Sequence, residues 1–152
     1  MIQRIQTIWL LLSLASWGLL FFSPIIGFAS PDSGAWMLYA EAIKTATGKE
    51  TVMQTIPLLV LFGVVQTLVL ISLFLYKRRV LQLRITLYTM ILQLFSYALI
   101  GLYVYQGSRM LNAGAGLLFM SIIPAVSFVF SFLAFRAIRR DILLLKMVDR
   151  LR

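Results

Sequence analysis

Three carboxylates, Asp32, Glu41 and Glu50, fall within residues 29–54. Acids brought together on one surface are the groups that could carry proton transfer or hydrolysis of a lipid-like substrate. The rest of the chain offers such chemistry little help. It contains no histidine and no cysteine, which removes imidazole bases, thiol nucleophiles, disulfides and most transition-metal sites. No HExxH, CxxC, GxSxG or P-loop pattern is present, so neither a zinc protease, a serine hydrolase nor a nucleotide-binding loop is indicated. The three acids are scattered over 26 residues and read as solvated surface. The expectation is a chain that is not an enzyme and holds no cofactor or metal.

Gln66 and Gln93 are the largest uncharged polar side chains inside long apolar runs. Each amide offers two donors and a carbonyl acceptor. They are expected to bond to one another or to Ser96, Ser127 or Ser131, joining neighbouring helices with about 0.6–2 kcal/mol per contact rather than forming a substrate site. No acid or base lies within these runs, so a proton-driven path has no evident carrier. The last run collects Gly114, Gly116, Ser121, Pro124, Ala125, Ser127, Ser131 and Ala134. Ser121 with Ala125, and Ser127 with Ser131, are small residues four apart, the spacing that lets membrane helices approach closely. Pro124 lacks a backbone donor and is expected to kink its span near the middle, as a packing feature rather than a gate.

The elements that must position these residues follow from composition. The chain has 152 residues, 61% hydrophobic and 12% charged, against about 25% charged in an ordinary soluble domain; its mean hydropathy is +0.95. The charges cluster, leaving uncharged stretches at 5–31, 51–76, 85–108 and 110–135. Crossing a hydrocarbon core about 30 Å thick takes roughly 20 helical residues, and membrane strands are far shorter. The reading is a single all-α transmembrane domain, 1–152, a four-helix bundle with spans near 5–28, 55–76, 85–105 and 114–135 and a tail at 136–152. Arg4 before an apolar run and Gly27-Phe28-Ala29 after it also suit a secretory signal, but the run is too long for one and carries Trp9 and Trp17, so an uncleaved helix is expected.

Positive charge sets the orientation. One side receives Arg4, then Lys77, Arg78, Arg79 and Arg84, then Arg136, Arg139, Arg140, Lys146, Arg150 and Arg152; the other receives Lys44, Lys49 and Arg109. Basic residues are retained inside, which places both termini in the cytoplasm, as an even number of spans requires. In the first outer loop, 35–46 is expected to be a short interfacial helix stopped by Gly48, with Trp36, Met37, Tyr39 and Ala40 on the membrane surface. The tail is expected to continue span four as an amphipathic helix. Arg136, Arg139, Arg140, Lys146 and Arg150 share one arc, while Leu144, Leu145, Val148 and Leu151 occupy another. Such a helix lies on anionic headgroups, each basic residue contributing about 1 kcal/mol. Nucleic acid is not an expected partner, because the charge is confined beside spans and no recognition module accompanies it.

The start MIQRIQTIWLL, the stretch FLYKRRVLQLR, and the close FRAIRRD followed by VDRLR resemble the bacterial family catalogued as domain of unknown function 4293. The resemblance covers essentially the whole chain and implies a small four-span protein of the cell membrane, the inner membrane where there are two; it supplies no mechanism. The family's segment after the last basic cluster is more acidic and polar, whereas here Ile142, Leu143, Leu144 and Leu145 follow Asp141. Two functions remain: a non-enzymatic membrane component that packs with itself or with partner membrane proteins and uses its basic face on lipid or protein, and a small oligomeric transporter or channel. Topology is directly testable. Reporter fusions at the C-terminus and within 35–48 should report cytoplasm and exterior respectively, and the same side for both would refute the four-span arrangement.

Overall fold

Proline at position 24 decides where the first helix gives way. In the computed structural model, which describes residues 2–30 and 34–150, with side chains from residue 5 onward except at 146 and 148–150, helix α1 spans Ile2–Leu19. It unwinds through i→i+3 bonds from the amides of Leu20, Phe21 and Phe22. Pro24 brings no donor and disfavours helical backbone at Ser23, so the chain leaves in extended form as strand β1, Ile26–Ser30. The apolar run expected as one span over 5–28 is therefore a helix and a strand.

The extended backbone needs partners, and it finds them in the segment expected to be an interfacial helix. Residues there form β2 (Gly34–Leu38), β3 (Ala42–Thr45) and β4 (Thr51–Gln54). With β5, Gly114–Leu117, they complete a five-stranded antiparallel sheet in the order β4-β3-β2-β1-β5. The molecule is thus helical with a sheet cap, and the all-α reading is corrected. Helix propensity in the alanine-rich 35–46 segment is overridden by tertiary pairing. Strand register sets Ile26 opposite Leu38 and Phe28 opposite Trp36, so one face presents these side chains, with Ile43, to the helices. Trp36 and Ala40 are buried in this junction rather than resting on a membrane surface. Gly48, at φ +73°, supports the β3–β4 turn.

Helix α2 spans Ile56–Phe74 and α3 spans Arg79–Leu111, joined by a 3-10 turn at Leu75–Lys77. Asn112, at φ 46°, caps α3 in the left-handed region that asparagine tolerates and sends the chain into β5. A second 3-10 turn, Phe119–Ile122, leads to α4, Ile123–Arg150. The span expected at 114–135 accordingly begins as a strand, and its helix runs without a break into the expected tail as far as Arg150. Pro124 is the second residue of α4, where no intrahelical donor is needed. It starts the helix instead of kinking its middle.

The four helices touch in a ring, α1 against α2 and α4, and α3 against α2 and α4. All connections that build the sheet lie at one end; the α2–α3 turn, the start of α1 and the end of α4 lie at the other, the basic end. Ile56–Lys77, Arg79–Leu111 and Phe119–Leu145 are each long and apolar enough to cross a membrane, and Ile5–Leu19 is a shorter apolar helix. Polarity is inverted relative to a soluble protein. The inward seam of α3 carries Gln82, Thr86, Thr89, Gln93 and Ser96 at alternating three- and four-residue steps, whereas Leu94 is 63% exposed and Gln93 1%. Water would penalise that outer surface; hydrocarbon does not.

Toward the sheet the seam turns apolar with Ile100 and Tyr103, and Trp17, Phe28, Leu38, Ile43 and Phe62 complete the junction. Gly107 lets the layers meet: a Cβ there would stand 3.0 Å from both Phe28 Cζ and Ile43 Cδ1. Gly107→Val is expected to destabilise the protein by about 1–3 kcal/mol through overpacking. Gly63→Ala, where added bulk meets nothing within 4 Å, should be neutral or slightly stabilising. Unfolding of both variants in detergent checks this, and equal stabilities would deny the close approach.

Candidate functional site

Two clusters of polar side chains stand out, one inside the helical body and one at its basic end. The inner cluster centres on Ser13, which α1 places on its buried face one turn from Leu10 and Trp17. Its hydroxyl lies 2.9 Å from the hydroxyls of both Ser127 and Ser131 on α4. From α3, Gln93 Nε2 donates to Ser127 Oγ at 3.1 Å, and Ser96 Oγ donates to the Gln93 carbonyl of the main chain at 2.6 Å. Ser127 and Ser131 are thus a close-packing pair, with the third partner supplied by a serine that its apolar surroundings hide in the sequence. Gln93 Oε1 is buried without a hydrogen-bond partner, as are Gln66 Oε1 and Gln82 Oε1.

The two expected glutamines do not meet. Gln66 Nε2 donates to the Leu14 carbonyl at 3.3 Å, and one turn away Trp17 Nε1 donates to the Phe62 carbonyl at 3.2 Å. These contacts hold α1 to α2. Ser72 and Thr86 share a hydroxyl bond of 2.8 Å between α2 and α3. Ser121 and Ala125 do not form a helix-packing pair. Ser121 lies in the 3-10 turn, its hydroxyl donating to the Leu118 carbonyl at 2.5 Å; Ala125 is exposed and, with Ser121, lines an apolar groove of about 470 Å³ between α3, α4 and the sheet.

At the basic end, Arg79 turns inward to an ion pair with Asp141, Nη1 to Oδ2 at 2.5 Å, a charge contact without hydrogen-bond alignment. It ties the start of α3 to α4. Lys77 Nζ lies 5.9 Å from the Tyr76 ring centroid. Arg78, Arg79 and Arg84 border a hollow of about 430 Å³ with Val80 and Leu81. No acidic residue occupies the first turn of α3, and no side chain caps it. Arginines here oppose the helix dipole, whose N-terminal end favours anions. Arg136 and Arg140 line a second hollow, beside α1, while Arg139 is exposed outside its lining. The side chains of Lys146 and Arg150 lie outside the described residues, as do that of Val148 and the whole of Leu151 from the expected apolar arc. Leu144 and Leu145 are 42% and 46% exposed.

Glu41 and Glu50 do not come together. Glu41 pairs with Lys44. Glu50 lies beyond the opposite end of β3, a separation of roughly 13 Å or more at about 3.3 Å per strand residue. Asp32 lies outside the described residues. Among the described residues there is also no group of three or more acids, histidines or cysteines able to hold a metal.

The inner cluster generates a test of coupling. Gln93→Leu and Ser127→Ala, made singly and together, should show an interaction energy of about 0.6–2 kcal/mol, the range for hydrogen bonds between membrane helices. Reversible unfolding in bicelles measures it, and strict additivity would remove the bond from the list of stabilising contacts.

A comparison with curated proteins finds no match. A family model described as a domain of unknown function, DUF4293, matches residues 2–151. That match takes in all four helices, the sheet and the basic end, and the chain belongs to the DUF4293 family.

Proposed function

We propose that this protein is a non-enzymatic component of the bacterial inner membrane, a four-span bundle with both termini cytoplasmic, whose basic end engages anionic lipid headgroups or the acidic surface of a partner membrane protein. A second copy of the chain is the other partner considered. Nucleic acid and cofactors have no part in this reading. The observation that carries it is the gathering of Lys77, Arg78, Arg84, Arg136, Arg139 and Arg140 at one end of a body whose flanks are apolar. Among the described residues, only Arg79 at that end has an acidic partner. Beside a negatively charged leaflet each such residue contributes about 1 kcal/mol, falling off within a Debye length.

The inner polar cluster supports packing more than passage. Its hydroxyls are satisfied by one another across α1, α3 and α4, and the sheet end closes over it with large apolar side chains. A small oligomeric transporter is the second reading, drawing on the unpartnered carbonyls of Gln82 and Gln93.

Full-length protein in nanodiscs of mixed phosphatidylcholine and phosphatidylglycerol is expected to enrich the anionic lipid in its surrounding shell. Replacing Arg78, Arg84, Arg136, Arg139 and Arg140 together by Gln should abolish the enrichment, and added salt should weaken it. Bound-lipid composition by mass spectrometry is the readout. An unchanged lipid ratio with the wild-type protein would overturn the lipid-binding reading.

A further inference from the structure

The groove between α1 and α4 at the basic end divides sharply by polarity. It has a volume of about 300 Å³ and is lined by Ile5, Leu133, Arg136, Ala137 and Arg140. Positions 133, 136, 137 and 140 follow the i, i+3, i+4, i+7 pattern of one helix face. Arg136 and Arg140 are therefore neighbours one turn apart, and among the described residues neither has an ion-pair partner. Asp141, next in sequence, is on the inner side of α4 with Arg79. The groove's width is held from behind, because the buried Gln6 donates from Nε2 to the Ala137 carbonyl at 3.2 Å. Further from the basic end, Leu133 and the stacked pair Trp9 and Phe130, with ring centroids 5.9 Å apart, carry an apolar strip along the same two helices.

From this geometry we infer that the α1–α4 groove is a binding site for one phospholipid with a net-negative headgroup. The inference rests on the proposed placement of the basic end beside an anionic leaflet. Arg136 and Arg140 together hold the phosphodiester, the guanidinium being well matched to phosphate oxygens. An acyl chain lies over Leu133 and Ile5 toward Trp9 and Phe130. A soluble phosphate would leave the apolar part unused, and an acidic peptide would leave it in contact with polar backbone. A zwitterionic headgroup brings its own ammonium against two arginines and forfeits much of the attraction.

Native mass spectrometry of the full-length protein, titrated with phosphatidylglycerol or with phosphatidylcholine of the same chains, tests the site. The first phosphatidylglycerol is expected to bind more tightly than phosphatidylcholine, and Arg136→Gln with Arg140→Gln should weaken that first equivalent roughly tenfold, while Arg139→Gln, which removes charge from the same end but outside the groove, should weaken it clearly less, by about threefold at most. Leu133→Trp, which fills the apolar part and keeps both arginines, should also weaken it. Helical content by circular dichroism verifies folding, and Arg136→Lys with Arg140→Lys should restore part of the affinity if a groove double mutant folds poorly. Equal losses from Arg139→Gln and from the groove pair would show diffuse surface charge and overturn the site. A retained preference for phosphatidylglycerol in both groove variants would overturn the site alone. Indifference of the wild-type protein to headgroup charge would overturn the broader lipid reading with it.

Discussion

The hydroxyl of Ser13 meets two other hydroxyls and stands within reach of the Gln93 amide, and the register of three helices follows from that meeting. In hydrocarbon there is no hydrophobic force between helices, so close packing and the few available hydrogen bonds must choose which faces touch. Sliding α4 by one turn would separate Ser13 from one of its two serines. Rotating α1 by one residue would carry Ser13 about 100° away from the centre. The seam of α3 extends the same logic toward the basic end, through Thr86 on Ser72 and the inward position of Gln82. Polar side chains thus specify an arrangement that uniformly apolar surfaces would leave degenerate.

The sheet answers a different requirement. When the chain leaves its helices at Pro24 and Asn112, main-chain donors and acceptors lose their i→i+4 partners near the end of an apolar body, where unpaired groups are costly. Pairing β1 with both β2 and β5 satisfies two such departures at once. Thr55 is part of the closure. Fully buried at the start of α2, it donates its hydroxyl to the Ala40 carbonyl at 3.0 Å instead of capping its own helix. The turn between β2 and β3 is consequently fastened to the helix that follows β4.

These two requirements explain what the sequence discloses and what it conceals. Long uncharged runs announce α2, α3 and most of α4, because length and apolarity are local properties. The basic clusters are equally plain. The strands are not, since their evidence is a pairing between residues far apart: Ile26 with Leu117 cannot be inferred from either segment alone. Pro24, the alternation of Phe28 with Ile26, and the threonine-rich hairpin around Gly48 were the local traces. Ser127 and Ser131 stood out by their spacing, while Ser13, Gln6 and the Arg79–Asp141 pair were concealed because their significance lies in which helix faces them. Pro124 illustrates the same limit, for its effect depends on whether a helix precedes it.

The two ends of the molecule also differ in how their charges are completed. At the sheet end, Lys44 has Glu41, and Arg109 rests 4.9 Å from the Tyr105 ring centroid. At the basic end, the Arg79–Asp141 pair joins α3 to α4 from within, and the arginines around it point to other surroundings. Helix energetics do not account for them, since Arg78 and Arg79 sit at the end of α3 where the dipole disfavours cations. Arg136 and Arg140 lie instead near the middle of α4, where they line a groove together with the apolar Ile5, Leu133 and Ala137. Charge that has no acidic partner among the described residues, set at the rim of a surface suited to hydrocarbon, is the feature on which the proposed contact with an anionic interface rests.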